Sequence, residues 1–163
     1  MTDVLDLEAR ADAGAHQAEL RLWLRLLTCS TMVEREVRRR LRQQFNVTLP
    51  RFDLMAQLER SPDGMTLGEL SQRMMVSNGN ITGLVRLLGG HGLVVTFTAP
   101  SDRRATYVRL TAAGRANFAE MAAAHAGWIA AMFAELDAEA LARLMEGLGR
   151  LKRSVMQRDR DNV

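Results

Sequence analysis

Asn78, Thr82 and Arg86 stand four residues apart in the run Ser77-Asn78-Gly79-Asn80-Ile81-Thr82-Gly83-Leu84-Val85-Arg86, so on a helix they share one face. An amide, a hydroxyl and a guanidinium in a row can read the donor and acceptor edges of base pairs in a major groove. Ile81, Leu84, Val85 and Leu88 fall within an opposite arc of about 100°, which requires a core. Gly79 and Gly83 lie on the polar face, where each costs about 1 kcal/mol against alanine. Close approach of a bulky partner, such as a nucleic-acid duplex, is a physical reason to keep them. Ser77 and Asn80 complete this candidate set. Further along, Asp102-Arg103-Arg104 forms a second one: arginine on a narrow loop suits the negative potential of a minor groove, and Asp102 can aim one guanidinium by pairing with it.

Other chemistry is sparse. His16, His91 and His125 are scattered and no His/Cys/carboxylate spacing suits a metal ion. No nucleophile, base and orienting group assemble from a motif, so neither an enzyme nor a cofactor is expected. Cys29 is the single cysteine and has no internal disulfide partner, so the expected compartment is the cytoplasm. With Thr28, Ser30 and Thr31 around it, no neighbouring charge activates the thiol. A buried inert thiol is the expectation, and a redox-sensing role for Cys29 the alternative.

The elements that position these groups can be read from periodicity. Residues 1–15 lack a repeating apolar face and read as a flexible acidic tail. From His16 to about Gln44, Trp23, Leu26, Ser30, Val33, Val37 and Leu41 mark one stripe of a long helix. Pro50 to about Arg60 is a second helix, its inward face holding Phe52, Met55, Ala56 and Leu58. Ser61-Pro62-Asp63-Gly64 has turn chemistry, and Thr66-Leu67-Gly68-Glu69 is a capping box opening a short helix to about Met74. Ser77 caps the next helix, which Gly89-Gly90-His91-Gly92 ends after Leu88. Two short helices around Met75-Val76 have helix–turn–helix spacing.

Period-two runs follow at 93–98 and 105–110, a hairpin whose basic tip is 99–104. Thr111 caps a helix reaching about Leu136, with Phe118, Met121, His125, Ile129 and Met132 on one face. Asp137 caps the last helix, where Leu141, Leu144, Leu148, Leu151 and Val155 step three and four, a heptad seam. The expected fold is mainly α with a small β-hairpin wing: a winged helix–turn–helix lobe plus a helical dimerisation region. Its expected segments are 1–15, 16–48 (dimerisation and effector pocket), 49–112 (winged helix–turn–helix) and 113–163 (C-terminal dimerisation helices).

The chain has 163 residues, 47% hydrophobic and 25% charged, which excludes wholesale disorder. It has no apolar run of the roughly 20 residues a membrane span needs. The tail carries −3 and the remainder +6 of a formal net +3, almost all from arginine, since Lys152 is the only lysine. Arginine suits phosphate because it stays charged and bonds bidentately. Arg35, Arg38, Arg39, Arg40 and Arg42, against Glu34 and Glu36, leave +3 on a short stretch of the first long helix. An anionic ligand could lie there; a solvated face or general attraction for DNA is the plainer reading.

The ordered series Leu67-Gly68-Glu69-Leu70, the run from Ser77 to Val85, Gly92-Leu93-Val94, Ser101-Asp102-Arg103-Arg104 and Leu110-Thr111-Ala112-Ala113-Gly114 resembles the multiple antibiotic resistance regulator (MarR) family of transcription factors. The resemblance is carried by residues from about Pro50 to Gly114 and, with the flanking helices, covers about nine-tenths of the chain. It implies an obligate homodimer binding a near-palindromic operator in double-stranded DNA. Ser77, Asn78, Asn80, Thr82 and Arg86 would face the major groove and Arg104 the minor groove, with Asp102 orienting it and Arg103 on the backbone. The segment Arg38 to Leu58, with Thr48-Leu49-Pro50-Arg51-Phe52-Asp53-Leu54-Met55, is also similar to regulators of hydroxycinnamate catabolism, which implies a small anionic aromatic effector or an acyl-CoA thioester. The expected effector residues are Trp23, Arg35, Arg38, Arg39, Arg42, Phe52, Met55, His125 and Trp128, with Met32 nearby. Thr96-Phe97 departs from an arginine pair common in the family, which removes possible phosphate contacts and keeps a winged-helix protein–protein adaptor as the alternative function.

Overall fold

The computed structural model describes residues 17–99 and 102–161; the side chains of 99, 102–104 and 159–161 fall outside that description. The tail 1–15 therefore lies outside the described residues. Helix α1 (Gln17–Phe45) is followed by α2 (Leu49–Glu59), β1 (Met65–Thr66), α3 (Leu67–Met74), α4 (Asn78–Gly90), β2 (Val94–Ala99), β3 (Asp102–Leu110), α5 (Ala112–Met132) and α6 (Ala138–Asp161). The chain divides into two compact units between Ala126 and Gly127, inside the segment read from sequence as the C-terminal helices.

Each element starts and stops for local reasons. Asn46 at φ 52° closes α1. Pro50 occupies the first turn of α2, where its missing N–H is no loss. Gly64 donates to the Ser61 carbonyl at 2.9 Å and takes φ +97°, and a Cβ there would lie 2.9 Å from the Val108 carbonyl oxygen. The capping box at α3 is complete: the Glu69 amide donates to Thr66 Oγ1 at 3.1 Å and the Thr66 amide to Glu69 Oε2 at 2.7 Å. The Thr66 amide, and after it the Thr66 hydroxyl, donate to the Glu69 carboxylate, which favours its charged form and holds Glu69 below its ordinary pKa.

The core of the first unit is built from one face of each element. Leu41, Leu54, Met55, Leu58, Leu70, Ile81, Leu88, Val108 and Met121 are fully buried, with Val37, Phe52, Met65, Val85, Val94 and Leu110 beside them. Each fully buried leucine or isoleucine contributes about 1.5–3 kcal/mol. Leu54, absent from the expected inward face of α2, is buried, while Ala56 is only half-buried.

Several expectations are corrected. Helix α4 continues through Gly89 and Gly90 and stops only at Gly92 (φ +68°). There Leu93 donates to the Leu88 carbonyl and Gly92 to that of Gly89, a Schellman ending that tolerates two glycines inside the last turn. Helix α5 ends at Met132 rather than Leu136, as Phe133 bonds back to both Ile129 and Ala130 in a tightened turn. The hairpin gains a third strand, β1, paired antiparallel to β3 in the order β1-β3-β2; two residues are too few for periodicity to show. Strand β3 begins at Asp102, so the expected tip is largely strand. Register shifts between Thr98↔Thr106 and Ala99↔Asp102, leaving Arg103, Arg104 and Ala105 in the irregularity. Ser30 and Cys29 are exposed, because only Val37 and Leu41, in the C-terminal half of α1, are buried.

The junction between α4 and α5 is closely packed. Thr111 Oγ1 donates to the Gly92 carbonyl at 2.7 Å and accepts from the Gly114 amide at 2.9 Å, and the Thr111 amide donates to the Leu93 carbonyl at 3.0 Å. A Cβ on Gly114 would stand 1.9 Å from the Leu93 oxygen. Gly114→Ala is therefore expected to cost about 1–3 kcal/mol by overpacking, and Thr66→Ala about 1 kcal/mol through lost capping; thermal melts followed by circular dichroism check both.

Candidate nucleic-acid interface

The α3–turn–α4 unit presents its polar arc outward. Ser77 caps α4, accepting from the Asn80 amide at 3.4 Å, and Asn78, Gly79, Asn80, Thr82, Gly83 and Arg86 are exposed. Ile81, Val85 and Leu88 are buried on the other side, as the 100° arc requires. Thr82 Oγ1 donates to the Asn78 carbonyl at 2.9 Å, so its remaining capacity toward a partner is to accept. No atom lies within 4 Å of a Cβ built on Gly79 or Gly83; internal packing does not explain these glycines. The turn itself holds Met75 in the left-handed region (φ 54°), 93% exposed, a conformation costing a non-glycine residue about 1 kcal/mol.

The wing sheet has two faces. Val94, Val108 and Leu110 are buried on one. On the other, Phe97 and Tyr107 are paired across the strands, their rings stacked at 5.6 Å, and Arg109 lies over Phe97 with Cζ 5.0 Å from the ring centroid. The backbone of Asp102, Arg103 and Arg104 is strand; their side chains lie outside the described residues.

A second cluster forms where α2 meets α5. The Phe52 ring sits 5.4 Å from Phe118 and 5.1 Å from His125, and Met55 is fully buried. Asp53 is half-buried beside them. Burial pushes its carboxyl above the ordinary range, Arg38 and His125 oppose the shift, and Glu34 adds to it. The expected effector residues Phe52 and His125 are thus brought together; Trp128 is buried but belongs to the second unit. Trp23 and Met32, for which a core position was the plain reading, are 57% and 66% exposed. The arginine cluster is extensively paired along its own helix. Arg38 bonds Glu34, while Arg39 and Arg40 each reach Glu36 at 2.6 Å. Those bonds, from Arg39 first and then Arg40, bring the Glu36 carboxyl down to about 2. Arg35 and Arg42 are exposed. Among the described residues no group of His, Cys, Asp or Glu could hold a metal ion, and no helix is long and apolar enough to cross a membrane.

The sequence does not mark Asp53 or the Phe97–Arg109 contact as functional, and it marks Phe118 only as one residue of an apolar helix face. Asp53 acquires its character only from tertiary neighbours, and the π contact depends on strand register; the one available signal was the alternation of Tyr107 and Arg109 with Val108.

The pattern defining the MarR family matches residues 47–106. A crystal structure of a MarR family transcriptional regulator from Silicibacter pomeroyi is similar at 31% identity, over 88% of this chain and 99% of that one, with a TM-score of 0.73. The chain belongs to the MarR family. It is thereby placed among transcriptional regulators rather than enzymes, and its mainly α architecture with a small wing is that of these winged-helix proteins. The regulator BldR from Sulfolobus solfataricus shares the fold, at 21% identity over 87% of this chain and 99% of that one, TM-score 0.75. The transcriptional activatory protein BadR from Rhodopseudomonas palustris is 32% identical over 64% of this chain; the match spans 60% of that relative's length.

The raised Asp53 carboxyl has a consequence for stability. A carboxyl whose folded pKa lies above its unfolded value favours folding while protonated and loses that contribution as pH rises through the folded value. Asp53→Asn is therefore expected to raise the melting temperature at pH 7, with the gain vanishing below about pH 3.9; melts across that range check it.

Proposed function

We propose that this MarR-family regulator is a homodimer that binds a near-palindromic operator in double-stranded DNA and releases it on binding a small aromatic acid or its CoA thioester. The observation carrying the DNA reading is the exposed arc of α4: Asn78, Thr82 and Arg86 point outward while the opposite arc anchors the helix in the core. In this reading Ser77, Asn78, Asn80, Thr82 and Arg86 meet the major groove. Arg104 enters the minor groove with Asp102 aiming it and Arg103 on the backbone.

Dimerisation is supported by apolar surface the chain leaves uncovered. Leu20, Leu22, Trp23 and Leu27 on α1 are exposed, and so is the whole seam Leu141, Leu144, Leu148, Leu151 and Val155 on α6. Contiguous exposed apolar faces of this kind mark protein interfaces. The effector reading rests on Phe52, Met55 and His125, with Trp23 and Trp128 as aromatic candidates and Arg35, Arg38, Arg39 and Arg42 as anion partners. The pairing of Arg38 and Arg39 with glutamates means an anion would compete for them, so Arg35 and Arg42 are the readier partners. Effector binding would act by favouring a state with the wrong spacing between recognition helices. A cytoplasmic location accords with this role.

Likeness to a protein named as a transcriptional activator favours a second reading, activation in place of repression; in vitro transcription with and without the chain separates the two. For the DNA reading, Arg86→Ala and Arg104→Ala should each weaken duplex binding by fluorescence anisotropy, the Arg86 change also relaxing base preference. Two variants that bind as the wild type does overturn the assignment, and a flat dependence of affinity on salt leaves the adaptor function. Leu148→Glu should give a monomer in size-exclusion light scattering. Aromatic acids and acyl-thioesters should raise the melting temperature if they bind the native state.

A further inference from the structure

We infer that Arg109, held over the Phe97 ring, is a DNA-phosphate contact of the wing. The inference rests on the DNA-binding reading above and adds a residue to it.

Strand β2 carries no charged residue, and among the described side chains of the wing Arg109 is the only charged one. It sits on the uncovered face of the sheet, opposite Val95 and next but one to Tyr107, with Phe97 as its diagonal neighbour. Its guanidinium reaches across the strands to the Phe97 ring. Phe97 is itself fixed: Tyr107 stacks on it, and the turn at Gly64 passes so close that a Cβ there would lie 3.1 Å from its Cζ. A planar guanidinium resting on a ring still has its in-plane N–H edges available, and these are the groups that grip a phosphate bidentately. Holding the side chain in place beforehand removes much of the ordering cost of that contact. Arg109 makes no ion pair among the described residues that would spend its charge.

A phosphate contact has a signature that a structural arginine lacks: it is independent of sequence and releases counterions. The test is anisotropy with a labelled duplex of random sequence across a series of sodium chloride concentrations. Arg109→Ala should reduce the log–log slope by about 0.9 for each wing engaged, and weaken binding about fivefold per wing at 0.15 M salt. Arg109→Lys should keep the slope. Phe97→Leu should keep it too while lowering affinity, since the charge remains but is no longer tethered. An Arg109→Ala slope equal to the wild type's overturns the contact, and a Phe97→Leu affinity equal to the wild type's overturns the tether. If the wild type itself shows no salt-dependent binding, the DNA reading fails, and this inference with it; melts of each variant confirm that the fold is intact.

Discussion

The carbonyls of Gly92 and Leu93 are the point on which the helix–turn–helix lobe depends. The two residues follow the helix that carries the polar arc and lead into the first strand of the wing hairpin, and their carbonyls receive the hydroxyl and the amide of Thr111 at the start of α5. Three elements meet within a few ångströms there, and the meeting is possible only because Gly114 has no side chain. Backbone groups at a helix end must find partners; the amides of Gly92 and Leu93 supply them for α4, while Thr111 takes up the carbonyls of those two residues and caps the following helix as well. The orientation of α4 relative to the wing is thus set by short hydrogen bonds rather than by long side chains.

Away from that junction, the first long helix is two things in one element. Its C-terminal half anchors in the core through Val37 and Leu41, and its N-terminal half displays leucines and a tryptophan to solvent. Of its arginines, Arg38, Arg39 and Arg40 pair with glutamates three or four residues away, pairs that contribute only tenths of a kcal/mol each. The basic character along this helix is therefore weaker than a count of its arginines implies.

Much of this was legible in the residues because local chemistry and tertiary structure agree. The capping box at Thr66, the Ser77 cap, the turn at Gly64 and the buried arc of α4 each follow from short-range rules, and each is found where those rules put it. Legibility failed where a long-range partner decided the outcome. Leu54 is buried although it lies off the face drawn for α2, because α2 is covered on more than one side. The stripe through Trp23 and Ser30 had the right period for burial, yet a period says that a face is apolar and not which molecule covers it. Strand β1 and the shift beside Ala99 exist only through pairing with β3, and the half-buried carboxyl of Asp53 takes its character from α1 and α5.

The position of Cys29 has a practical side. It is the chain's single thiol, and it lies exposed on the part of α1 that has no buried residue. A maleimide dye or nitroxide attached there would mark one defined point per polypeptide without any engineered substitution. In an assembly of two copies, the separation of the two labels would become a ruler for how the long helices rearrange.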